Sequence, residues 1–161
     1  MKIIYCHHAL RKRGEIPTQQ DGIEDLGIED ANIVAKLLVL ANKNNNIKAI
    51  YTSPYYRCYK TAQIINQHIN VPIFEDERLN EFDSKTEKWV DLQKRVMQSV
   101  FDAIENYSEQ DTIVFVTSGV NVAPFILLAY GFDVSENAPF IGVPSCSPLV
   151  FDIKKDNKSK K

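Results

Sequence analysis

The feature that most constrains this chain is a series of short apolar runs, each ended by polar residues and separated by segments with helical spacing. The cleanest is Ile113-Val114-Phe115-Val116, entered at Thr112 and broken by Thr117-Ser118-Gly119. A run this short between polar breaks fits a strand buried on both faces. Ile3-Ile4-Tyr5, ending at Cys6-His7-His8, is a second such run, and residues 47–51 and 71–74 are two more.

Between these runs the spacing changes to that of helices. Ile33, Leu37, Leu40 and Ala41 predict a helix over about residues 29–42, stopped by Asn42-Lys43-Asn44-Asn45-Asn46. Thr52-Ser53-Pro54 predicts the start of another, with Ser53 as N-cap and Pro54 in the first turn, running to about His68 on Tyr59, Ala62, Ile65 and Ile69. A longer helix is expected over about residues 85–106, on Trp89, Leu92, Val96, Val100, Phe101 and Ile104. An apolar helix should follow Gly119 and end near Tyr130, and two short strands near residues 140–143 and 148–153 close the chain. Alternating strands and helices predict an α/β fold: a three-layer αβα sandwich around a mostly parallel sheet. We expect one domain over residues 1–153 and a Lys-rich, solvated tail over 154–161.

Charge and cysteines exclude several classes. The net charge is −2, but Lys154–Lys161 carries five Lys and one Asp, so the remaining body is distinctly acidic. Such a body lacks the basic footprint of a nucleic-acid binder. Three cysteines, Cys6, Cys58 and Cys146, show no metal-like pairing and fit a reducing compartment. The opening apolar run is too short for a signal peptide, and no stretch approaches the roughly 20 apolar residues of a membrane span. The expectation is a cytoplasmic protein with no metal and no cofactor, and no nucleic-acid or membrane partner. Oligomeric state is not legible.

Ligands of open α/β sheets bind at the carboxyl ends of strands. Here those ends carry His7 and His8, then Ser53-Pro54 with Arg57 one turn on, then Glu81, then Thr117-Ser118-Gly119. A His, an Arg and a carboxylate meeting beside helix N-termini suggest a phosphate-sized anion site.

These residues resemble the motifs of the histidine phosphatase (phosphoglycerate-mutase-like) superfamily. Its first motif, a strand followed by Arg-His-Gly, has its counterpart in Ile3-Ile4-Tyr5-Cys6-His7-His8. Its second, Ser-Pro-x-x-Arg-x-x-x-Thr-Ala, is matched in full by Ser53 to Ala62. Leu79-Asn80-Glu81 is similar to its Leu-x-Glu, and Val114 to Gly119 to its apolar strand ending in His-Gly. Asp25-Leu26-Gly27 with Ala31 resembles a family helix start. The resemblance covers about residues 2–153 and is closest in size to the small phosphohistidine phosphatases.

By that resemblance His7 attacks phosphorus as a neutral imidazole, Arg57 clamps the transferring oxygens, and Glu81 protonates the leaving group and then activates water. His8, Arg13, Ser118 and Gly119 are expected to contact the substrate, a phosphorylated small molecule or phosphoprotein. In this alignment Cys6 stands in place of the family's Arg and Ser118 in place of its second His. Arg13 would restore the missing charge. The alternative is an impaired pseudo-phosphatase that binds a phosphorylated ligand or partner without turnover. Mutase activity is disfavoured, because the chain looks too short to close a lid. A cysteine-phosphatase loop is disfavoured too: Lys12, not an Arg, stands six positions after Cys6.

Overall fold

A computed structural model describes residues 1–12, 19–42 and 46–153. The proposed role of Arg13 and the Lys-rich tail lie outside them. The apolar runs form the strands expected of them: β1 (Lys2–His7), β2 (Ile47–Thr52), β3 (Ile73–Glu75), β4 (Thr112–Thr117) and β5 (Pro148–Asp152). They form one sheet in the order β3-β2-β4-β1-β5. β4 lies at its centre and every one of its six residues is buried, which is why its sequence is apolar without alternation. β1, β2, β3 and β4 are parallel, and only the edge strand β5 runs antiparallel, against β1.

Successive strand side chains point to opposite faces, and two cores result. Ile4, Cys6, Ile50, Val114 and Val116 pack on one face against α1 (Asp25–Ala41) and α2 (Tyr56–Ile69). Ile3, Tyr5, Ala49, Ile113 and Phe115 pack on the other against α3 (Trp89–Glu105) and α4 (Val122–Tyr130). The result is a mixed α/β fold with helices on both faces of a central sheet. Each large apolar side chain buried in full contributes about 1.5–3 kcal/mol.

Three local expectations are corrected. In α1 the buried face is Gly27, Ala31, Val34, Ala35 and Leu38, whereas Ile33, Leu37 and Leu40 are exposed. Close packing on the segment leaving β1 selects a small residue there: a Cβ on Gly27 would stand 2.8 Å from the Leu10 carbonyl oxygen. Ser53 is not the N-cap of α2, which begins at Tyr56 behind Tyr55. Instead the Ser53 hydroxyl accepts from the Tyr55 amide and donates to Asn80 Oδ1 at 2.6 Å. Residues 140–143 form no strand. The segment that follows them passes over the end of β1, where the Cys146 amide lies 3.2 Å from the carbonyl oxygens of both His7 and His8. Cys146 adopts φ 53, a left-handed conformation uncommon for a residue with a side chain.

Candidate active site

Five chain segments meet at the carboxyl end of the sheet. β1 delivers His7 and His8. The β2–α2 loop and first turn of α2 deliver Ser53 and Arg57. A 3-10 turn at Glu77–Leu79 leads to Glu81, and a second at Gly119–Asn121 follows Ser118. The segment around Val143 closes the side.

Arg57 is the hub. Its side chain is 2% exposed, and its donors are paired at both ends, as burial of a guanidinium requires. Nε donates to His8 Nε2 at 3.1 Å, and Nη2 donates to Glu81 Oε2 at 2.5 Å. The motif threonine explains how Arg57 is set. Thr61 Oγ1 donates to the Arg57 carbonyl at 2.7 Å and accepts from the Ala9 amide at 2.9 Å. The hydroxyl therefore couples the first turn of α2 to the loop leaving β1.

These contacts fix the His8 tautomer. A guanidinium can only donate, so Nε2 must offer its lone pair. Nδ1 then carries the proton and donates to the Ala9 carbonyl at 2.8 Å. Burial, and then the neighbouring His7, push the His8 pKa down to about 3, so the ring is neutral at physiological pH. His7 is held in the same sense: Nδ1 lies 2.8 Å from the Val143 carbonyl oxygen, which can only accept. The His7 pKa is also lowered, chiefly by burial and partly by Arg57, against the raising influence of the Val143 and Pro144 carbonyls and Glu81. The two rings meet edge to face with centroids 4.3 Å apart. Gly119 makes room for them: a Cβ there would stand 2.9 Å from His7 Cε1.

The structure thus brings His7, His8, Arg57, Glu81, Ser118 and Gly119 to one end of the sheet. The expectation for Cys6 is corrected. Its side chain is fully buried in the α1–α2 core, and burial raises its thiol pKa. A larger cation at position 6 would enter that core rather than the site. Ser118 Oγ is buried with no hydrogen-bond partner among the described residues. Arg11, on the loop leaving β1, is paired with Asp21 Oδ2 at 2.9 Å.

Sequence reasoning missed the residues that hold Glu81. Arg95, from α3, donates to the carbonyls of Arg78, Asn80 and Glu81, and Asn121 donates to those of Leu79 and Asn80. Tyr5 donates to the Ser118 carbonyl at 2.7 Å. Their partners are backbone oxygens far away in sequence, which no local pattern announces. Among the described residues no group of three or more His, Cys, Asp or Glu side chains is placed to hold a metal ion, and no helix is long and apolar enough to cross a membrane.

Residues 13–86 match the family model described as histidine phosphatase superfamily (branch 1). A search of the curated proteins finds no match. Among solved structures the chain is similar to Bacillus stearothermophilus YhfR, at 18% identity over 96% of each chain with a TM-score of 0.75. It is similar to a mycobacterial glucosyl-3-phosphoglycerate phosphatase, at 18% identity over 92% of this chain and 88% of that one, with a TM-score of 0.73. It is also similar to the protein histidine phosphatase SixA complexed with tungstate, at 11% identity over 98% of this chain and 91% of that one, with a TM-score of 0.74. At such identities the structural likeness is one of fold.

Proposed function

From the match of residues 13–86 to the histidine phosphatase superfamily, we propose that the chain belongs to that superfamily and hydrolyses a phosphomonoester or phosphoprotein through a phosphohistidine formed at the His7–His8 pair. The observation that carries this reading is the buried Arg57, fixed between an imidazole and a carboxylate. A cation this enclosed, with a neutral base on one side and an acid on the other, suits the transfer of a phosphoryl group.

A bare imidazole nitrogen attacks phosphorus, and the bond from phosphorus to the leaving oxygen breaks. Glu81, in its protonated form, gives that oxygen its proton. Glu81 then takes a proton from water as the water attacks the phosphohistidine, and the P–N bond breaks to release phosphate. Glu81 accepts from Arg57. A bound phosphoryl group would take over those guanidinium donors and free the carboxylate for proton transfer. Its side chain is 42% exposed, open enough for exchange with water.

The second reading, a phosphoryl-binding pseudo-enzyme, is favoured by one observation. His8 Nε2 is occupied by Arg57 Nε, and Ser118 offers no charge where the family resemblance places a second His. One experiment separates the two. Hydrolysis of an aryl phosphate by the wild type, absent in a His7→Ala, His8→Ala double variant, is the expected result. Tungstate binding without turnover on any phosphorylated donor would establish the pseudo-enzyme instead.

A further inference from the structure

Position 7 carries an imidazole, which can be neutral or protonated, whereas position 57 carries a guanidinium, which can only donate. The fold decides what the imidazole can do. Side chains alternate along β1, so Ile4 and Cys6 enter the α1–α2 core while Ile3 and Tyr5 enter the α3–α4 core. Position 6 is therefore closed to the site. Residues 7 and 8 reach it, and the register sets them beside β4, with His7 paired to Thr117 and the His8 amide on the Thr117 carbonyl. Ser118 thus follows Thr117 on β4 as His8 follows His7 on β1. The strand-end pair at the site is His7 and His8, one position later than the motif alignment on Cys6 and His7.

The two rings differ in what they touch. His8 is 5% exposed, neutral, and in direct contact with Arg57 through its lone pair. A phosphoryl group drawn to Arg57 arrives next to that lone pair. His7 is half-buried and held by Nδ1 on the Val143 carbonyl, with the Pro144 carbonyl also against the ring. Once protonated, its Nε2–H becomes a donor at the mouth of the site.

We infer that the two histidines divide the work: His8 is the attacking ring, and His7 binds the phosphate oxygens as a proton-dependent clamp. The inference rests on the phosphatase reading for the role of His8, but the clamp requires only that the site bind a tetrahedral oxyanion. The groups facing His7 are His8 from the same strand end, Arg57 from α2, Glu81, and the Val143 and Pro144 carbonyls. Burial and Arg57 favour the neutral ring. An arriving dianion adds two negative charges beside it and favours the imidazolium. Binding therefore takes up a proton, and affinity falls as pH rises through the bound-state value.

Tungstate is the probe, because it stays a dianion across the neutral range and cannot itself supply the proton linkage. Calorimetric titration of the intact protein between about pH 6 and 9, in buffers of different ionisation enthalpy, should show uptake of about one proton per anion and affinity falling by up to tenfold per pH unit. His7→Arg should bind with no proton uptake and a flat profile. His7→Gln should bind weakly and also lack the slope. If His7→Arg keeps the wild-type slope while Glu81→Gln loses it, the proton goes to Glu81 and the clamp is overturned; a flat wild-type profile overturns it as well. The attacking ring is read separately, by mapping the phosphohistidine trapped under alkaline quench with acetyl phosphate as donor. Phosphate on His8 supports the division, and phosphate on His7 overturns it. Absence of any phosphohistidine rejects the phosphatase reading and with it the attacking role of His8, while the tungstate titration still decides the clamp.

Discussion

The two walls of the site are built on different terms. The α2 wall, Ser53 to Thr61, matches its motif residue for residue, and its polar atoms engage one another: Ser53 with Asn80, Arg57 with His8 and Glu81, Thr61 with Ala9. The wall made by the ends of β1 and β4 departs from its motifs. There a buried Ser118 hydroxyl has no partner among the described residues, and His7 and His8 are each tied through Nδ1 to a backbone carbonyl. A saturated network is rigid and costly to alter, because each deletion strands a partner. A wall held by backbone tolerates side-chain change. The altered residues sit where the fold least depends on them.

The α2 wall should therefore break hardest. Arg57→Ala removes the donor shared by His8 and Glu81, and loss of one preorganised oxyanion donor costs about 10²–10³ in rate. We expect hydrolysis of an aryl phosphate to fall by about 10³, near the upper end, because Arg57 also orients two other site residues. Retention of more than a tenth of the wild-type rate would mean that the transferring group is held elsewhere.

The next effect tests the β1–β4 wall by crowding it. Gly119→Ala places a methyl 2.9 Å from His7 Cε1 and 3.1 Å from the Val143 carbonyl oxygen, two atoms that are themselves joined through the His7 bond. Overpacking of this kind costs about 1–3 kcal/mol. Urea unfolding should show that loss, and tungstate affinity should fall with it as the His7 ring is displaced. If stability is unchanged and affinity falls, the ring has moved without cost and the wall is softer than drawn.

How much of this was legible follows from the physics of each element. β4 was readable because a strand buried on both faces must be apolar throughout, and no helix of that length is needed to explain it. The face of α1 was not. Its exposed residues, Ile33, Leu37 and Leu40, are larger than all of its buried ones but Leu38, and hydropathy alone ranks them as core. What reversed the ranking was the close approach at Gly27, a distance between elements rather than a property of the helix. The site divides the same way. Ser53, Arg57 and Thr61 lie within one short motif and were found together. The choice between His7 and His8 depends on the pleat of β1 and the register of β4, and Val143, Arg95 and Asn121 act on backbone atoms of distant segments. Position 6 illustrates the limit: the motif alignment set Cys6 where the family has its Arg, and side-chain alternation places it in the α1–α2 core.

The smallest effect is the sharpest test of the contrast between the walls. Removing a hydroxyl from a saturated network would cost stability, as Thr61 in the α2 wall would show. Ser118 is different, since its Oγ is buried and without a partner among the described residues. An unsatisfied buried polar group is itself a cost of about 1–3 kcal/mol, so Ser118→Ala should leave stability unchanged or raise it by up to about 1 kcal/mol. A hydroxyl retained at that cost is explained if an oxyanion oxygen accepts from it when the site is filled. Tungstate affinity in Ser118→Ala should then fall several-fold while the unfolding midpoint holds or rises. A drop in stability of more than about 1 kcal/mol would show that the hydroxyl is satisfied in solution, and the β1–β4 wall would then be as closed a network as the α2 wall beside it.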